Sequence, residues 1–158
     1  MPCIELKTII HAPPERVFDL SRSIDLHVHS TEGTKEQAVA GVTSGLIDVG
    51  EQVTWRAFHF GFWHRLTSRI TAFEYPHRFV DEMQEGIFKR MHHTHAFEAC
   101  ASGTCMYDVF DYTAPLGVLG KLADFLFLKA YMRRFLVKRN AVIKAVAESE
   151  RWQEFLVS

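Results

Sequence analysis

A chain of 158 residues has the length of one ordinary domain, and its 47% hydrophobic content excludes a disordered polymer. A formal net charge of −1 carries none of the basic excess of a typical nucleic-acid binder. The three cysteines (Cys3, Cys100 and Cys105) have no paired metal spacing and leave an odd thiol, which argues against a disulfide scaffold and for a reducing compartment, the cytoplasm. No basic-then-apolar leader opens the chain, and no run reaches the ~18 apolar residues of a membrane span.

The first strand is expected over 3–11, where Ile4, Leu6, Thr8 and Ile10 alternate with Glu5, Lys7 and Ile9. Pro13-Pro14 ends it, and Pro14-Glu15-Arg16 has the composition of a helix start. Ser21 or Ser23 is placed to cap a second short helix reaching His29. Residues 30–50, with four glycines and little alternation, predict only a short strand and a loop.

From Glu51 the period is two. Val53, Trp55, Ala57 and His59 take one face and Thr54, Arg56, Phe58 and Phe60 the other. After Gly61, Leu66, Ser68, Ile70 and Ala72 oppose Arg65, Thr67, Arg69 and Thr71, as in an antiparallel strand with one wet face. Tyr75-Pro76 breaks this strand. Phe79, Asp81 and Met83 then face inward, Gly86 turns the chain into 88–98, and Ser102-Gly103 turns it into 104–113. Beyond Pro115 and Gly117 the period becomes 3.6. Leu122, Phe125, Leu128, Met132, Leu136, Ile143 and Ala147 form one stripe, interrupted by Lys129 and Arg139. A helix over 118–150 would be roughly 45 Å long, so the sheet must curl around it. The expectation is one α+β domain over 1–158 with a curved antiparallel sheet gripping a long C-terminal helix.

Local words sharpen that expectation: IIHAPPERVFDL at 9–20, VTWRAFHFG at 53–61, FVDEMQEGIFKRMHHTHAFE at 79–98 and TCMYDVFDYTAPLGVLGKLAD at 104–124. Together with the element order they resemble the helix-grip fold of the START/Bet v 1-like (SRPBCC) superfamily, in its bacterial ligand-binding branch of unassigned function. The resemblance covers essentially the whole chain. It implies binding of a small hydrophobic molecule such as a lipid, sterol, polyketide or quinone. Some members of the superfamily cyclise or dehydrate polyketides, so the fold alone does not choose.

The residues themselves point to the 88–113 hairpin. His93, His95 and Phe97 share a face of its first strand, and Thr104, Met106, Asp108, Phe110 and Tyr112 share one of its second. A turn near Ser102 sets Asp108 opposite His93 or His95. Such a pair suits a polar ligand group or general acid–base catalysis, and equally a buried register-fixing contact. His93, His95 and Asp108 are therefore the catalytic candidates. With only two histidines on one face, no metal is assigned, and no cofactor is implied. Asp81, flanked by Phe79 and Met83, would be a second polar anchor or would need a partner of its own. Trp55 and His59 are candidates for the cavity wall, and Leu122, Phe125, Met132 and Leu136 for its floor.

Lys129, Arg133, Arg134, Lys138 and Arg139 put five basic charges in eleven residues with no acid. A solvated helix face meets that pattern, and so does contact with an anionic membrane surface or acidic partner. Three functions are consistent with the sequence: a closed cavity of several hundred Å³ that sequesters, senses or carries a hydrophobic ligand; a cyclase- or dehydratase-like enzyme; and an interaction module using the basic helix.

Overall fold

The computed structural model describes residues 2–157. Strand β1 (Cys3–Ile10) leads into helices α1 (Pro14–Ser21) and α2 (Ile24–Ser30). Proline opens α1, and the Ser23 side chain caps α2 by accepting from the Leu26 amide at 3.1 Å. The weakly patterned segment that follows holds a 3₁₀ turn (Glu32–Thr34) and short strand β2 (Gln37–Gly41). Strands β3 (Gln52–His59), β4 (Phe62–Glu74), β5 (Arg78–Glu85), β6 (Arg90–Cys100) and β7 (Gly103–Thr113) then form a meander. The seven-stranded antiparallel sheet has the order β1-β7-β6-β5-β4-β3-β2, so the first strand closes onto the last.

The expected single helix over 118–150 is a composite. Helix α3 (Gly117–Ala123) runs through a π turn (Asp124–Leu128) into α4 (Lys129–Ala147), and a separate α5 (Trp152–Leu156) follows. Helix α4 lies in the grip, against β1, α1 and α2. Its residues Leu136, Ile143, Val146 and Ala147 are buried. A π turn carries one residue more than α geometry allows, so it breaks the phase of a 3.6-residue stripe. Leu122 and Phe125 share that stripe by counting, yet both are exposed, Phe125 by 85%. They do not form the cavity floor.

The apolar interior falls into two clusters. One surrounds Phe18, whose ring meets Phe79 and Phe97 at 5.2 Å, and includes Ile143 and Val146. The other joins Ile4, Met91, Phe110, Tyr112 and Leu136. Members of both clusters line one cavity of about 340 Å³.

Candidate functional site: a lined cavity with a His–Asp wall

Cavity-lining residues range from fully buried Phe79 to Leu116, which is 78% exposed. The cavity expected to be closed is thus open to solvent. Its mouth is framed by Phe60 at the β3–β4 tip, Ile87 in the β5–β6 turn, and Leu116 and Leu119 of the segment leading through α3. Trp55, His59, Phe79, Asp81, His93, His95, Phe110, Met132 and Leu136 border the space, as their strand parity and helix position suggest.

Met83, Met106 and Tyr112 do not line it. They occupy the concave face at places where other elements cover it. The Met106 sulfur accepts from Ser21 Oγ of α1 at 3.6 Å. Tyr112 donates its phenol to Asp124 of the π turn, and Met83 packs into the second cluster. Burial, with the Asp124 carboxylate beside it, pushes the Tyr112 phenol far above its ordinary value.

Asp108 also lies one layer behind the cavity wall. The register pairs His95 with Asp108 and His93 with Phe110 across β6–β7, and Asp81 with His93 across β5–β6. The carboxylate of Asp108 is wholly buried. His93 Nε2 donates to its Oδ1 at 2.8 Å, and Asn140 Nδ2 donates to its Oδ2 at 2.7 Å. The Arg139 guanidinium lies 3.7 Å from Oδ1 and donates to the Ser21 carbonyl at 3.4 Å. Arg139 is only 4% exposed, so it leaves the proposed basic surface and becomes the internal counter-charge of Asp108.

On the cavity side, His95 Nε2 donates to Asp81 Oδ2 at 2.7 Å. The Asp81 side chain keeps 20% exposure. The two imidazole rings lie 3.8 Å apart, and the His95 ring stacks on Phe79 at 4.3 Å. Burial and then the neighbouring His95 lower the pKa of His93 to about 4, against the pull of Asp108 and Asp81. Burial also opposes a charge on His95, but the Asp108 and Asp81 carboxylates around it outweigh burial and raise its pKa. Both carboxylates are held below their usual range despite burial, Asp81 chiefly by His95 and Asp108 chiefly by His93. The cluster thus sets two carboxylates against the Arg139 guanidinium and a His95 whose charged form they favour, with His93 neutral at neutral pH. A neutral His93 that donates through Nε2 presents a bare Nδ1, 3.9 Å from Asp81 Oδ2.

Asp81, His93 and His95 each offer one atom within 4.8 Å of the others, a spacing that admits a metal ion. His95 Nε2 and Asp81 Oδ2 already bond to each other. The observed arrangement is a hydrogen-bond chain, and a cation there would have to break it.

The cavity also holds a second polar group that strand parity does not mark. His27 Nε2 meets Glu36 Oε1 at 2.7 Å, and His59 Nδ1 meets Tyr131 Oη at 2.5 Å. All four residues line the cavity. Burial lowers the His59 pKa and raises that of Tyr131. Glu36 comes from the segment that lacks periodicity, so no pattern points to it.

The chain matches no protein-family model and no curated protein. Solved structures resemble it throughout. TTHA0849 of Thermus thermophilus is 20% identical with a TM-score of 0.74, over 91% of this chain and 95% of that one. CV1439 of Chromobacterium violaceum is 16% identical with a TM-score of 0.69, over 94% and 98%. Ginseng major latex-like protein 151 of Panax ginseng is 16% identical with a TM-score of 0.67, over 92% and 97%. The chain therefore has the Bet v 1-like helix-grip fold, and these identities extend the likeness no further than fold.

Proposed function

We propose that this protein binds a small, largely hydrophobic and electrically neutral molecule in its cavity, to sequester, sense or carry it. One observation carries this reading: an open, apolar-walled cavity of about 340 Å³ ends on a polar cluster whose acids and bases are already paired. That volume is within the usual range for small-molecule sites, where apolar walls supply affinity and few polar groups set orientation. Asp81 and His93 Nδ1 would meet a ligand hydroxyl, and the Tyr131–His59 pair a second polar group. A charged ligand would have to compete with acid–base pairs that the cluster already makes within itself. The three cysteines are free thiols, which fits a reducing compartment such as the cytoplasm. No helix among the described residues is long and apolar enough to cross a membrane.

The test is native mass spectrometry of the purified protein, followed by denaturation and analysis of the released molecule. The expected result is a neutral apolar species at up to one equivalent. An unliganded mass, together with no displaceable binding of an apolar fluorescent probe, refutes the reading.

A catalytic version is favoured by a specific geometry: neutral His93 borders the cavity with its Nδ1 3.9 Å from Asp81 while Asp108 holds its Nε2–H, the arrangement of a general base with its orienting carboxylate. In that case a His93→Gln variant accumulates a precursor differing in mass from the species bound by the parent. Identical species in both proteins refute it.

A further inference from the structure

The mouth of the cavity carries more exposed apolar surface than a solvated rim requires. Leu116, Val118, Leu119, Leu122, Phe125 and Leu126 are all exposed within eleven consecutive residues, and Phe125 is nearly free of contact. The patch continues onto the β3–β4 hairpin. Phe60 stands 4.5 Å from Tyr131 and 5.6 Å from Phe127, ring to ring, and Phe62 beside it is exposed. A contiguous patch of this kind marks an interaction surface.

Two backbone positions reinforce this. Phe60 (φ 53°) and Leu116 (φ 68°) are left-handed, a region that bulky L-residues rarely occupy. Both border the mouth and project large apolar side chains from it. Turn chemistry alone would favour Asn or Gly at each.

Charge then chooses the partner. Lys121, Lys129, Arg133, Arg134 and Lys138 are exposed around and beyond the patch. The only acid between residues 114 and 139 is Asp124, which accepts from Tyr112. This local excess stands on a chain of net charge −1. Apolar side chains interleaved with lysine and arginine on a helical segment fit the headgroup boundary of an anionic bilayer.

We infer that the segment from Leu116 to Arg134, with the β3–β4 tip, docks the cavity mouth onto a membrane surface bearing anionic lipid. The ligand then passes between bilayer and cavity without crossing water. This rests on the cavity reading for its purpose and on surface residues alone for its test.

The test is flotation with vesicles of phosphatidylcholine containing about a quarter phosphatidylglycerol, against phosphatidylcholine alone. The parent protein is expected to float with the anionic vesicles and to be released by high salt. Leu122→Glu/Phe125→Glu is expected to lower partitioning by about a hundredfold, and Lys121→Glu/Lys129→Glu by about tenfold. None of these four side chains lines the cavity, so unfolding midpoints and ligand occupancy by native mass spectrometry should be unchanged. Failure of flotation with occupancy intact overturns the docking proposal and spares the cavity reading. Equal flotation of Leu122→Glu/Phe125→Glu also overturns it. So does light scattering that shows a dimer converted to monomer by Leu122→Glu/Phe125→Glu, since the patch would then cover a second copy.

Discussion

Replacing Asp108 by alanine should be among the most damaging single changes in this protein, and the structure gives its scale. The carboxylate accepts from His93 and Asn140 and faces the buried Arg139 guanidinium. Alanine strands two buried donors and leaves the buried Arg139 guanidinium without its nearest carboxylate. Removing one partner of a buried ion pair costs about 3–5 kcal/mol. For a chain of this size each kcal/mol lowers the midpoint by roughly 2–4 °C, so a fall of about 6–20 °C is expected. Asp108→Asn keeps an acceptor for His93 and should lose less, about 1–3 kcal/mol. Urea denaturation gives the free energy and calorimetry the midpoint. NMR titration supplies a second readout: the His95 pKa, raised in the parent, should fall in both variants. A loss below about 1 kcal/mol in Asp108→Ala, with His95 unmoved, would show that water or relaxation already serves these groups and would refute the coupling.

Stability should peak near neutral pH. The native state holds His93 at about 4 against an ordinary value of 6.5, so the unfolded chain binds the extra proton and stability falls as pH drops from 6.5 toward 4. His95 is raised, so its contribution is full below 6.5 and is lost as pH climbs through its native value. His93→Gln should flatten the acid limb of a denaturation–pH profile and His95→Gln the alkaline limb; unaltered limbs contradict the assignment. Ala57→Trp adds a ring from a buried cavity-lining position and should abolish apolar-probe binding at a packing cost of about 1–3 kcal/mol, whereas retained affinity would move the binding site elsewhere. Leu116→Asn should stabilise the fold by about 1 kcal/mol in urea denaturation, since asparagine tolerates a φ of 68° and little packing is lost; a loss of stability would mean that the leucine is held for packing after all.

Strand parity makes much of the site legible in the sequence. Alternation along 91–97 and 104–112 puts His93, His95 and Asp108 on one face, and the turn before Gly103 sets the register that pairs His95 with Asp108. Parity gives a face but not which element covers each position along it. Met106, Met83 and Tyr112 therefore share the concave face with Phe110 yet lie outside the cavity. Helical count already sets Arg139 inside the apolar stripe, between Leu136 and Ile143, and only its grouping with the neighbouring basic residues makes it read as surface. Leu122 and Phe125 escape the count for a different reason: a π turn leaves no residue signature, and one extra residue is enough to rotate everything before it. Glu36 and His27 gain meaning only when β2 joins the sheet beside β3 and the Glu36 carboxylate before it meets His27 of α2.

That π turn has a consequence for how the molecule is tuned. Asp124–Leu128 holds one more residue than α geometry needs, inside a helix that is otherwise continuous from Gly117 to Ala147. Deleting a single residue there would leave a regular helix of nearly the same length. Yet it would turn α3 by about 100° relative to α4. The swing would carry Leu116 and Leu119 around the axis and away from Phe60, while Met132 and Leu136 stayed where they are. The placing of the doorway's α3 rim thus depends on a residue count along the chain.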